Sequence, residues 1–302
     1  MLKSNDAPAT LDTPRTGQDG ESAALEALQD LLERHRPFLI LSPPRSASTA
    51  LARALSNHSQ IGPYIHEPCD RYRHEDAGIG AIVDRLQTGG LEGGALIKEM
   101  TFQLRSGRLA EVFLQQVRHP IAVLIRHPRR TLESRLRKVL QGLIRPESST
   151  KMSITDVHRI RDAVQSKNYS SIGDLIEEQV FPLEFTGWQD LERQLEICTR
   201  NQIPYRVIDA ARFRAEPRAN LEPLLAAWGL TFEPAMLEWD EGSFQVQGLN
   251  EQSSWYRRVK TSRGVLPETA SLPGLEHFPE RFHKPLKNFE KLYFLLRNDT
   301  FR

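Results

Sequence analysis

Apolar residues fall into short blocks separated by polar stretches of helical period. Four blocks read as buried strands: PFLILS (37–42), GALIKEM (94–100), IAVLIR (121–126) and YRVID (205–209). Short unbroken apolar runs suit strands covered on both faces. Each is followed by a helical pattern, at 49–56, about 109–116, 131–140 and 221–228. Ahead of the first strand, residues 22–35 place Leu25, Leu28, Leu31 and Leu32 on one helical face. Strands alternating with helices predict right-handed crossovers and an α/β fold: a central, mostly parallel sheet with helices on both faces. Ligands of such sheets sit at the carboxyl ends of the strands.

The pattern changes over 143–200. Ser-rich and charged patches (RPESSTKMS, SKNYSSIGD) lie between helical segments at 172–181 and 189–200, with no strand pattern. This reads as a helical lid or acceptor-binding insertion, in which Phe181, Phe185 and Trp188 line a pocket or pack as core. Residues 1–20 are rich in Thr, Pro, Asp and Gly without periodicity and read as a disordered leader. The remainder, 21–302, reads as one domain. Trp228, Met236, Leu237 and Trp239 have core spacing.

Composition narrows the function classes. The 302 residues carry a net charge of +1, which excludes a globally basic nucleic-acid binder. Two cysteines, Cys69 and Cys198, have no metal-ligand spacing and fit a reduced compartment. No apolar run approaches the roughly 20 residues of a membrane span, nor does the N-terminus contain a signal-peptide core. The expectation is a cytoplasmic protein with neither nucleic acid nor membrane as partner.

Candidate chemistry begins after the first strand, in SPPRSAST. Aligned with G-x-x-x-x-G-K-[ST], it has Ala47 at the second glycine, Ser48 at the lysine and Thr49 at the hydroxyl. The lysine that would reach the phosphates of ATP is missing, and Arg45 supplies a cation inside the loop instead. Backbone N–H groups at a helix N-terminus, with Ser46, Ser48 and Thr49 hydroxyls, suit an anion. An ordinary N-capped helix, with Ser48 as cap, is the alternative. The second stretch is IAVLIRHPRRTLESRL. From Arg118 to Lys138 there are seven Arg or Lys and one acid, Glu133, so this strand end is strongly positive. Arg126 and Ser134 are the better candidates for holding a phosphate. Arg129, Arg130 and Arg137 read equally well as a solvated basic face.

These two stretches resemble the sulfotransferases that use 3′-phosphoadenosine 5′-phosphosulfate (PAPS). The family's P-[KR]-S-[GA]-[ST]-[ST] loop, which binds the 5′-phosphosulfate, is matched by Pro44, Arg45, Ser46, Ala47, Ser48 and Thr49. Its R-x-P-x-x-x-x-x-S element, which binds the 3′-phosphate, is matched by Arg126, Pro128 and Ser134. IHEP (65–68), LIKEM (96–100) and the stretches 207–239 and 255–264 resemble recurring blocks of a bacterial-type branch. Ala47 stands where many members have glycine. The resemblance implies a three-layer P-loop-type fold, with PAPS as co-substrate, 3′-phosphoadenosine 5′-phosphate (PAP) as product, no metal, and a small-molecule acceptor. It also implies a late loop closing over the nucleotide, here with Tyr256, Arg257 and Lys260. A homodimer is left open.

Sulfuryl transfer needs an in-line acceptor, charge stabilisation of the moving group and leaving phosphate, and a base. Arg45 is the candidate for the charge. In YIHEPCD, Glu67 leads as base with His66 as runner-up, and Lys98 either adds positive charge or pairs with Glu67. An atypical kinase and a nucleotide-binding relative without catalysis are the competing readings.

Overall fold

The computed structural model describes residues 17–70, 78–105, 107–117, 119–145, 152–176, 181–243 and 256–298. The chain enters through helix α1 (Gly17–His35), which starts inside the segment expected to be a leader. It continues through β1 (Phe38–Ser42), α2 (Ser48–Leu55), β2 (Tyr64–His66), α3 (Ile79–Thr88), β3 (Leu96–Met100), α4 (Gly107–Gln115) and β4 (Ile121–Ile125). Then come α5 (Pro128–Leu143), α6 (Ile154–Ser166), α7 (Trp188–Arg200), β5 (Tyr205–Asp209), α8 (Ala210–Ala215), α9 (Pro217–Ala227), α10 (Arg257–Lys260) and α11 (His283–Asn298).

The strands form one five-stranded sheet in the order β2-β3-β1-β4-β5, with every pairing parallel. The α/β architecture is therefore as expected, with one strand more. Tyr64–His66 carries only three residues, too short for an apolar run to register, yet it pairs His66 with Lys98 across the sheet.

Side-chain alternation along each strand divides the core in two. Leu39, Leu41, Ile97, Ile121, Val123, Ile125 and Val207 face α1, α3, α4, α7 and α11. Phe38, Ile40, Leu96, Ala122, Leu124 and Ile208 face α2, α8 and α9, and there Trp228, Met236 and Trp239 are buried as their spacing implied. Helices thus cover both faces, which is why the strands read as continuous apolar runs. Both cysteines are buried and free.

The expected lid divides. Its last helix, α7, packs on the sheet through Trp188, Leu191 and Leu195, so Trp188 is core rather than pocket. A third apolar cluster joins α5, α6 and the start of α11 through Leu136, Ile160, Tyr169, Ile172, Phe181, Phe278 and Phe282. Phe181 is fully buried there. The segment expected to be helical from 172 begins at the end of a short 3-10 turn, Ser170–Ile172; residues 177–180 lie outside the described ones. Helices α3, α6, α8, α10 and α11 lie outside the helical segments that the sequence pattern predicts.

Candidate active site

The chain leaves central β1 for α2 and β2 on one side and later reaches β4 on the other. The crevice of this α/β sheet therefore opens at the carboxyl end of β1. Pro43 to Ala47 turn there into α2. Arg45 and Ala47 both have φ of 67°, in the left-handed region. Among the described residues six non-glycines have positive φ, and Glu67, at 46°, joins these two at the same crevice. Such strain persists only where surrounding structure holds it, and it concentrates at functional sites.

Ala47, not Ser48, is the N-cap of α2, and it offers no side chain to the helix. The first N–H groups of a helix have no partner within it, and no acidic residue occupies its first turn. Directly beside them, the Ser46 hydroxyl is fully buried and has no hydrogen-bond partner. A buried orphan hydroxyl costs free energy unless something else satisfies it. An anion oxygen bound at the helix terminus would do so. Gly187 backs the loop: its φ is +70°, and an added Cβ would lie 2.8 Å from Pro44 Cδ and 2.5 Å from Thr101 Oγ1. Only glycine allows that approach.

The second strand end meets this loop. Pro128 at the first turn and the His127 ring, which accepts from the Arg129 N–H at 3.4 Å, start α5 immediately after β4. Arg126 donates from Nη1 to the Arg45 carbonyl at 3.0 Å, and Arg45 Nε donates to Ser134 Oγ at 3.0 Å. Arg45, Arg126 and Ser134 are thereby brought together, 89 residues apart in the case of Arg45 and Ser134. Burial, then the charges of Arg126 and Arg137, lowers the Arg45 pKa to about 10. It stays cationic at neutral pH in a field that favours an anion.

Arg129 and Arg130 do not form a solvated face. Arg129 pairs with Glu290 at 2.5 Å and reaches the Pro273 carbonyl at 2.9 Å. Arg130 reaches the Ala270 carbonyl at 2.6 Å and Glu268 at 3.5 Å. Helix packing against the 266–273 segment ties both down.

At the β2–β3 end, parallel register puts Tyr64, His66 and Lys98 on one face. Lys98, fully buried, is in ion-pair contact with Glu67 Oε1. His66 Nε2 lies 3.2 Å from the same oxygen, and Gln103 donates to Oε2 at 3.0 Å. Burial alone would raise the Glu67 pKa, but Lys98 and His66 outweigh it and hold the carboxyl well below its ordinary range. His66 is pushed below 6.5 by burial, against the pull of Glu67. Its Nδ1 lies 2.5 Å from the Tyr64 hydroxyl and its Nε2 2.8 Å from the Tyr256 hydroxyl. The imidazole is therefore neutral near pH 7. Behind it Glu99 accepts from the Cys69 and Met100 N–H groups and is raised to about 8 by burial and the Glu67 charge.

Of the late-loop candidates, Tyr256 reaches the site through His66. Lys260 is half-buried, and its carbonyl accepts from the Gly242 N–H at 2.8 Å. The Arg257 side chain lies outside the described residues. Tyr64, Gln103, Gly187, Arg214 and Glu268 were missed as site residues. Tyr64 and Gln103 adjoin the IHEP and LIKEM stretches, and Arg214 lies within the 207–239 stretch; Gly187 has no such neighbour in sequence.

Residues 192–278 match the family described as Sulfotransferase domain. The matching segment runs from α7 through β5 to the end of the 3-10 turn at Leu275–His277, so it contains Arg214, Tyr256 and Glu268 but neither the β1 loop nor the β4 end. The motifs at 44–49 and 126–134 lie outside this matched segment. Among solved structures the chain is similar to the "Sulfotransferase Domain from the Curacin Biosynthetic Pathway". Identity there is 16% and the TM-score 0.44, covering 83% of this chain and 96% of that one. It is also similar to the "Sulfotransferase Domain from the Synechococcus PCC 7002 Olefin Synthase", at 14% identity and a TM-score of 0.42, covering 85% and 94%. No curated protein matches the chain. Among the described residues no helix is long and apolar enough to cross a membrane, and no group of three His, Cys, Asp or Glu is placed to hold a metal ion.

Proposed function

We propose that the protein is a sulfotransferase moving a sulfuryl group from PAPS to a hydroxyl or nitrogen of a small-molecule acceptor. The observation that carries this reading is the orphaned Ser46 hydroxyl at the uncapped start of α2, beside a cationic Arg45 joined to Arg126 and Ser134. Donors at a helix terminus together with a cation suit a terminal sulfuryl-phosphate arm. The absence of a lysine at position 48 disfavours the β- and γ-phosphates of ATP.

In the proposed step the acceptor oxygen or nitrogen attacks sulfur in line. The bond between sulfur and the bridging oxygen of the 5′-phosphate breaks, and PAP leaves with the electron pair. Arg45 and the α2 N–H groups stabilise charge on the sulfuryl and leaving oxygens. His66 takes the acceptor proton, with the acceptor occupying the place of the Tyr256 hydroxyl at Nε2. Glu67 serves better as the partner of the resulting imidazolium than as base, since Lys98 keeps its carboxylate charged and weakly basic. The cytoplasm is the proposed location.

Titration with PAP and, separately, with ATP and magnesium tests the reading by calorimetry or thermal shift. Stabilisation by PAP alone is expected. Stabilisation by ATP alone would overturn it. Incubating extracts with PAPS and protein, then searching by mass for the gain of one sulfuryl group, identifies the acceptor.

A further inference from the structure

Three guanidinium groups converge on one carboxylate at the end of the sheet. Arg126 donates from Nη2 to Glu268 Oε1, and the Nη1 atoms of Arg130 and Arg214 each lie 3.5 Å from the same oxygen. The three arginines come from different places: the end of β4, the first turn of α5, and α8. Asp209 opens α8 by accepting the Ala211 and Arg212 N–H groups at 2.9 Å, which sets Arg214 on this side. The Glu268 side chain is only 7% exposed, yet its second oxygen, Oε2, has no partner, and neither does Arg126 Nε. One carboxylate oxygen therefore meets three guanidinium groups, while Arg126 Nε and Glu268 Oε2 keep unused hydrogen-bonding capacity.

We infer that Glu268 is a built-in occupant of the phosphate site expected at Arg126, displaced when a phosphate monoester dianion binds, and that Arg130 and Arg214 add two further guanidinium groups to that site. This rests on the donor reading above and adds to its residues. Ser134 accepts from Arg45 Nε, while Arg130 and Arg214 stand beside Arg126 around Glu268. Two negative charges and three acceptor oxygens match three guanidinium groups better than a single carboxylate oxygen does. The cradle also holds its shape without Glu268. Arg130 is fixed on the Ala270 carbonyl at 2.6 Å, and Arg214 on the Leu266 and Pro267 carbonyls at 2.6 and 2.7 Å. Only the Glu268 side chain has to move, and the backbone that carries it stays anchored.

The test is calorimetric titration of the full chain and of Glu268→Gln with PAP and with adenosine 5′-phosphate, which lacks the 3′-phosphate. If the carboxylate fills the cradle in nine of ten molecules, its removal tightens PAP about tenfold. Binding of adenosine 5′-phosphate should stay unchanged. A second variant, Arg214→Gln, should lose PAP affinity several-fold and keep adenosine 5′-phosphate, whether or not Glu268→Gln folds. Equal effects on the two nucleotides, or weaker PAP binding by Glu268→Gln, would show that Glu268 only buttresses the arginines and would overturn the inference. If neither nucleotide binds either protein, thermal shift with inorganic phosphate decides. A gain confined to Glu268→Gln keeps the anion site and removes the PAPS reading; equal responses remove the anion site as well.

Discussion

Replacing Lys98 by Met tests whether Glu67 is held ionised inside the site. Lys98 is fully buried and Glu67 nearly so, and the pair lies at adjoining strand ends, where water cannot take over the lost partner. Removing one member of a buried ion pair costs about 3–5 kcal/mol, because the other charge is left uncompensated. Here Gln103 at 3.0 Å and His66 at 3.2 Å still approach the Glu67 carboxylate, which favours the lower end, about 3 kcal/mol. A loss of that size should lower the melting temperature by roughly 5 °C. The pH dependence carries the sharper information. In the native protein the Glu67 pKa is depressed, so its contribution is complete above the unfolded value near 4.5 and fades only as pH falls through the folded value. Without Lys98, burial dominates and the pKa rises above the unfolded value. The stability gap between variant and native protein should then be widest at pH 8 and shrink toward pH 5. The double variant Lys98→Met, Glu67→Gln should recover part of the loss, since no buried charge remains. Thermal unfolding across that pH range is the assay. A gap below about 1 kcal/mol at pH 7, or one that does not change with pH, would refute an ionised Glu67.

Other substitutions separate ligand binding from folding. Ser46→Ala removes a buried hydroxyl without a partner, so the ligand-free protein should be equally stable or gain about 1 kcal/mol, while PAP binding weakens. A loss of stability without ligand would show that the hydroxyl is satisfied internally. Gly187→Ala should destabilise by roughly 2 kcal/mol or more and weaken donor binding, because its Cβ would press on Thr101 and Pro44; an unchanged melting temperature would contradict the close approach. For turnover, a neutral base is needed, so activity should be lost as pH falls. Because burial depresses His66, the midpoint of the acid limb of kcat/KM should lie below 6.5. A midpoint above 7, or an acid limb unaffected by His66→Gln, would remove His66 from that role.

Much of the fold was legible because a parallel sheet covered on both faces leaves an uninterrupted apolar signature. PFLILS, IAVLIR and YRVID each contain a strand within a residue of its expected bounds. Tyr64–His66 is not among the apolar runs because three residues, two of them polar, have no periodicity to read; Pro68 is the only local mark of a strand end there. Helix α11 does carry a helical period, in Leu286, Phe289, Tyr293 and Leu296, although no strand precedes it to mark it as part of a strand–helix unit. In the site, Arg45, Arg126, Ser134, Glu67, His66 and Lys98 could be named because they fall in motifs at or just beyond strand ends, and the Lys98–Glu67 pair stood as one alternative. The Arg45–Ser134 and Arg126–Glu268 contacts could not be read.

By itself, the sequence determined the strand ends, the small donor-rich loop without a lysine, and the excess of arginine after β4. These depend on local pattern and on charge spacing along the chain. Tertiary structure alone decided that Ala47 sits at a positive φ, that Ser134 serves Arg45, that Lys98 keeps Glu67 ionised, and that Arg130 and Arg214 meet Arg126 around Glu268. Those contacts join residues as many as 142 positions apart. Only closure of the sheet and packing of the helices bring such residues within hydrogen-bonding distance, and the strength of each interaction then depends on how completely water is excluded.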